Sequence, residues 1–395
     1  MKASVLLRTV TALCGMALCM SYADARPVKV TALHAFASGT DGANPEARLT
    51  HYNGMLYGTT ENGGGRSGGV VFSLDPKTGT ETVLHSFGNG IDGLSPQAGL
   101  IVEDNILYGV ASFGGGHSGG AVFALDLNTG TERTVYGFCR EYQCADGDRP
   151  QSDLIDVDGT LYGTTVQGGP GNLTIFNGGG VVFALDPVTG VEKVVHSFNG
   201  RNDGRSPLVG LTINNGTYFG TTSRGGAYGG GTAYSIDLQT GTEKILHSFG
   251  SGTDGQEPYG ALTYLNGMLY GVTWNGGANS CGSYNCGTVF SIDPVSGAET
   301  VLHSFAGADG YLPYAALIAV NGILYGTTAY GGDTDRGTIF TVDPTTGAFT
   351  MIHSFTGPDG ANPYASLIAV KNKLYGTTEE GGYYGHGTVY AFRVP

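Results

Sequence analysis

Charge is scarce in this sequence, and lopsided where it occurs. Only 13% of the 395 residues are charged, and 33 acids outnumber 19 bases, for a formal net charge of −14. No basic stripe relieves that acidity, so nucleic acid and anionic lipid are not expected as partners; the negative charge reads as a solubility device. Helical periodicity is missing as well. After the first 25 residues no stretch holds a long 3.6-residue rhythm of apolar side chains. Tryptophan is almost absent, with Trp274 standing alone. The one continuous apolar run, 10–20, is too short to cross a bilayer.

That run sits in an export leader. Lys2 and Arg8 precede it, and Ala23-Asp24-Ala25 fits a small-x-small cleavage site, which makes residues 1–25 a signal peptide and 26–395 one mature domain. A lipid-anchored start is not expected, because Leu13 and Leu18 stand where a small residue should precede Cys14 or Cys19. The protein is expected outside the cytoplasm, extracellular or periplasmic. The four remaining cysteines form two close pairs, Cys139 with Cys144 and Cys281 with Cys286. An oxidising compartment would close both as disulfides. Zinc would need four convergent ligands, and the pairs lie in different repeats, so no metal is expected there.

What the chain does have is glycine, 70 residues of it, interleaved with Val, Leu, Thr, Tyr and Phe. Five ordered markers recur seven times after Arg26. The first is His-Ser-Phe or a variant, from His34-Ala35-Phe36 through Tyr136-Gly137-Phe138 to His353-Ser354-Phe355. An Asp-Gly follows, then Pro with Leu four residues on, as in Pro45 and Leu49. Leu-Tyr-Gly-Thr-Thr and Gly-Thr-Val-Phe types complete the unit. One unit reads as four strands, near 47–52, 55–60, 70–75 and 81–87, joined by Asn53-Gly54, a Gly-rich loop, and Pro76-Lys77-Thr78-Gly79. Both faces of such a sheet are apolar, so it needs a neighbour on each side. The last unit ends after a third strand, while the mature chain begins with an unpaired fourth-type strand at 28–36. The expected fold is therefore all-β: a seven-bladed β-propeller of four-stranded antiparallel blades, closed by the N-terminal strand completing the last blade.

The markers His34-Ala35-Phe36, Leu-Tyr-Gly-Thr-Thr and Gly-Thr-Val-Phe resemble the bacterial extracellular HAF or GloVer (Gloeo/Verruco) repeat proteins, over nearly all of residues 28–395. The resemblance implies an exported protein, often tethered by a C-terminal sorting segment. This sequence ends at Pro395 inside the last blade, so free secretion is expected. No biochemical activity comes with the family. A slighter likeness, at Val182-Phe183-Ala184-Leu185-Asp186-Pro187-Val188-Thr189-Gly190, is to pyrroloquinoline-quinone repeats. Those enzymes carry adjacent cysteines over the cofactor and this chain has none, so no cofactor is expected.

The repeated His and Asp read as scaffold: a His bonded to a turn, and an Asp capping its own Asp-Gly turn. No Asp-x-Asp-x-Asp ladder suggests calcium. Function is sought where repeats differ, in the loops between second and third strands. Those loops and the blade connections share one face, which collects Arg66, Phe113, His117, Arg224, Tyr228, Trp274, Tyr330, Arg336, Glu379, Glu380, Tyr383, Tyr384 and His386. The longest insert, 167–179, carries Ile175 and Phe176. Aromatics beside Arg and carboxylates suit a sugar ring. The expected role is a monomeric binding module for an extracellular glycan or protein. The alternatives are a polysaccharide lyase or glycoside hydrolase, using groups such as Glu379, Glu380, His386, Tyr383 and Arg336, and a purely structural matrix protein.

Overall fold

The computed structural model describes residues 28–170, 178–200, 202–282 and 284–395. The expected leader, residues 1–25, lies outside them, as do Ile175 and Phe176.

Seven antiparallel sheets form a ring of blades. Blade 1 is Thr50–Tyr52, Met55–Thr60, Val70–Leu74 and Glu81–Ser86, paired in that order. Blades 2 to 6 repeat it at 101–137, 155–197, 212–248, 263–304 and 318–354. Blade 7 takes three strands from 368–393, and Thr31–Ala35 pairs antiparallel with its Thr388–Arg393. Blade 3 carries an additional strand, Asp148–Pro150, and a small hairpin pairs Ser280–Cys281 with Tyr284–Asn285 in the blade 5 loop. Cys139 is bonded to Cys144, and Cys281 to Cys286.

The markers explain themselves as packing. The Gly of each Leu-Tyr-Gly lies under an aromatic ring: a Cβ on Gly58 would stand 2.6 Å from Phe72 Cζ and 2.8 Å from Leu49 Cδ2. Only glycine lets ring and strand approach so closely. The Phe of each His-Ser-Phe then meets the Phe or Tyr on the next blade's third strand. All seven seams have this pair, from Phe36–Phe72 to Phe355–Tyr390, with ring centroids 4.9 to 5.3 Å apart. In four blades the repeated His bonds the Asp of the following turn, as His85 Nε2 does with Asp92 Oδ2 at 3.2 Å, and His247, His303 and His353 do likewise. Where Tyr136 replaces His, its hydroxyl donates to Asp146 at 2.9 Å instead.

One boundary differs from the expected one. The first strand was expected over 47–52, but the ladder covers only Thr50–Tyr52. Ala47 leaves it because its carbonyl accepts from Thr377 Oγ1 of blade 7, at 3.2 Å. Thr59 to Ala98 and Thr327 to Pro363 repeat the arrangement. The segments entering blades 1, 2, 4 and 7 are thereby tied to the preceding blade, and the entry segments of all seven line the axis of the ring.

Candidate ligand site at the channel mouth

All seven blades contribute to one cavity of about 240 Å³, so it lies on the ring axis. Its walls are built from the Pro-x-x-x-Leu marker. The residue after each Pro forms one tier: Glu46, Gln97, Gln151, Leu208, Tyr259, Tyr314 and Tyr364. Two residues further on, Arg48, Asp153, Gly210, Ala261, Ala316 and Ser366 form a deeper tier. The mouth opens on the loop face. Blade connections bridge to the loops after the second strands there, at Ala43–Asn62, Arg205–Arg224, Gln256–Asn275, Tyr311–Tyr330 and Ala361–Glu380.

The wall is two-sided. From blades 5 to 7 comes an aromatic run: Tyr259 stacks on Tyr314 at 5.0 Å, and Tyr314 meets Tyr364 edge-on at 5.2 Å. Trp274 joins edge-on to Tyr259 at 5.5 Å, and the Tyr330 and Tyr364 hydroxyls lie 3.2 Å apart. Blades 7 and 1 to 3 supply the polar side. Gln97 Nε2 donates to Glu46 Oε2 at 3.2 Å and to Glu61 Oε1 at 3.1 Å. Its own Oε1 accepts from Ser112 Oγ at 3.1 Å and Gln151 Nε2 at 3.0 Å. Below, Arg48 Nε donates to Asp153 Oδ2 at 3.0 Å, and Asp153 Oδ1 accepts the Gly99 amide at 2.6 Å.

Three carboxyls, Glu46, Glu61 and Glu379, converge here. Burial, then Glu61 and Glu379, push Glu46 up to about 8. Burial, then Glu380 and Glu61, push Glu379 up to about 7. Near neutrality Glu46 thus holds its proton. Burial also raises the Tyr314 and Tyr364 hydroxyls, which stay neutral donors. The site therefore presents flat aromatic faces opposite a set of amides and carboxyls.

Of the residues singled out in the sequence, four gather at this mouth. Trp274 and Tyr330 belong to the aromatic run, Glu379 to the polar side, and Arg224 acts on Glu257 and Tyr259, opposing the rise that burial causes in both. The others lie further out. Arg336 and Tyr383 flank a separate shallow groove with Pro358 and Glu380. Tyr383 is 86% exposed and touches Tyr384 edge-on. Arg66, His117 and Tyr228 are exposed on their loops, and the His386 carbonyl accepts the Asn44 amide at 3.0 Å. Sequence reasoning missed Glu46, Gln97, Gln151, Tyr259, Tyr314 and Tyr364 because they sit inside a marker. The signal was there: the residue after an unvarying Pro changes from Glu and Gln in blades 1 to 3 to Tyr in blades 5 to 7.

The Gloeobacter/Verrucomicrobia repeat matches residues 21–176, 141–284 and 278–394, together nearly the whole chain. The chain belongs to this repeat family. No curated protein matches the repeat propeller in sequence. Among solved structures, an oligogalacturonate lyase in complex with manganese is similar, at 14% identity over 93% of each chain, with a TM-score of 0.54. A B. thetaiotaomicron extracellular domain, described as part of a hybrid two component system, aligns at 10% identity and TM-score 0.57, over 92% of this chain and 39% of that one. A quinohemoprotein alcohol dehydrogenase from Comamonas testosteroni gives 12% identity and TM-score 0.52, over 93% of this chain and 76% of its own. At such identities the likeness is one of fold.

Proposed function

We propose that this repeat propeller is a secreted module that binds an extracellular glycan at its channel mouth. The observation that carries the proposal is the two-sided wall: stacked Tyr259 and Tyr314 opposite Glu46, Gln97 and Gln151 around one cavity. Pyranose C–H faces pack on aromatic rings, and hydroxyls pair with amides and carboxyls. The charge selects among glycans. The cluster of Glu46, Glu61 and Glu379 can bear only negative charge, to which a uronate would add its own, and Arg48 is already engaged by Asp153. A neutral or amino-substituted sugar fits, and the small cavity suits one or two residues at a chain end. Two disulfides support placing this activity outside the cytoplasm.

A second reading, glycoside hydrolysis, draws on Glu46 as a protonated acid beside two further carboxyls. A panel of neutral, amino and uronic oligosaccharides tests both. Binding of the first two groups without the third, and with no product released, is the expected result. Preference for uronates would contradict the site; release of shortened products would replace binding by hydrolysis.

A further inference from the structure

Each seam between blades brings together the first residue of the His-Ser-Phe marker, the Asp of the following turn, and the residue that opens the next blade's fourth strand. Three seams form tight trios: His34, Asp41 and Glu81 between blades 7 and 1, His85, Asp92 and Glu132 between blades 1 and 2, and His196, Asp203 and Glu243 between blades 3 and 4. In each, one ligand atom per residue lies within 4.8 Å of the other two.

The trio between blades 3 and 4 is the most demanding. His196 Nε2, Asp203 Oδ1 and Glu243 Oε1 are all buried, and none has a hydrogen-bond partner. The Glu243 side chain is only 7% exposed. His196 Nδ1 lies 3.1 Å from the Gly241 carbonyl, so it carries the proton and Nε2 turns its lone pair toward the two carboxylates. Such outer hydrogen bonds orient metal-binding imidazoles. Three unpaired buried ligand atoms are costly for protein alone and are satisfied together by one cation. Glu81 and Glu132 repeat the pattern, each with a buried Oε1 that has no partner.

We propose that these seams bind divalent cations of the zinc or manganese class, held by one imidazole nitrogen and two carboxylates with water completing the shell. Two carboxylates match the ion's charge, and the imidazole disfavours calcium and magnesium. The ligands come from two successive blades, so each ion pins one blade to the next. Two seams show the alternative without the donor set. Tyr136 replaces the His between blades 2 and 3, and between blades 5 and 6 Phe349 replaces the Glu and stacks on His303 at 3.8 Å.

The test uses the full chain, stripped with chelator and equilibrated with Zn²⁺ or Mn²⁺ alone. Bound metal is read by emission spectrometry and Tm by calorimetry. Metal should raise Tm. Glu243→Gln and Glu81→Gln should each lose one equivalent and the double variant two, while His303→Gln loses none. The Gln variants replace a buried ionisable carboxyl by a neutral isostere, so they should fold without metal at least as well as the wild type. Metal uptake indifferent to both substitutions, or a Tm unmoved by metal, would overturn the proposal.

Discussion

Gly387, opening the third strand of blade 7, lies against the ring of Pro45, at the entry to blade 1; a Cβ on Gly387 would stand 2.5 Å from Pro45 Cδ. The same Gly–Pro approach occurs at the other six seams, from Gly69–Pro96 to Gly337–Pro363, at 2.5 to 2.8 Å. Gly387 has φ +98°, so a side chain is unwelcome there on two counts. Gly387→Ala should cost about 2 kcal/mol or more, read as a lowered denaturant midpoint. Gly54→Ala, at a turn where nothing crowds the Cβ, should cost about 1 kcal/mol.

The N-terminal strand should latch the ring. Thr31–Ala35 covers the edge of Thr388–Arg393, and Phe36 is buried against Phe72 of blade 1. Phe36→Ala should cost about 3–5 kcal/mol. A mature chain lacking residues 26–36 should expose a strand edge and associate, visible by light scattering. A stable monomer after that deletion would contradict the latch.

The brace below the mouth makes a separate prediction. Asp153 takes both the Arg48 guanidinium and the Gly99 amide, tying blade 3 to blades 1 and 2. Its side chain is 33% exposed, so solvent screens part of the pairing. Asp153→Ala should lower stability by about 1–2 kcal/mol, mainly through the orphaned amide, and Asp153→Asn by less.

Stability should also follow pH. The seam glutamates Glu81, Glu132 and Glu299 are pushed up to about 7, and Glu192 and Glu243 to about 8, each by burial first. A raised carboxyl means that the folded chain holds protons the unfolded chain releases. Its stabilising contribution is complete below the unfolded value of 4.5 and is lost as pH rises through 7 to 8. In chelator, Tm should therefore climb as pH falls from 9 to 6.5. Below that, His85 and His196, lowered by burial, favour the unfolded chain and oppose the trend. A flat Tm between pH 9 and 6.5 would contradict the assignment.

How much of this was legible in the sequence follows from where repetition helps. Gly58, Phe72 and Phe87 recur at fixed spacing because every blade solves the same packing problem, so blade number and strand order could be read directly. The loop face was legible for the same reason, and Trp274 and Tyr330 were found on it. The channel was not, because Glu46 and Tyr314 occupy equivalent positions in blades far apart in sequence and matter only together, once the ring closes. The seam trios were hidden differently. His196 and Asp203 are neighbours in sequence, but the Glu243 that completes the trio comes from the next blade, and the unpaired atoms exist only once the blades pack.

The most direct test of the channel as the binding site is calorimetric titration of the tightest-binding neutral oligosaccharide into wild type, Tyr314→Ala and Tyr383→Ala. Loss of the stacked Tyr314 ring should weaken binding at least tenfold, about 1.4 kcal/mol, while loss of the exposed Tyr383 should change it less than twofold. Unchanged affinity in Tyr314→Ala, with the loss appearing in Tyr383→Ala, would move the site to the outer groove and contradict the account.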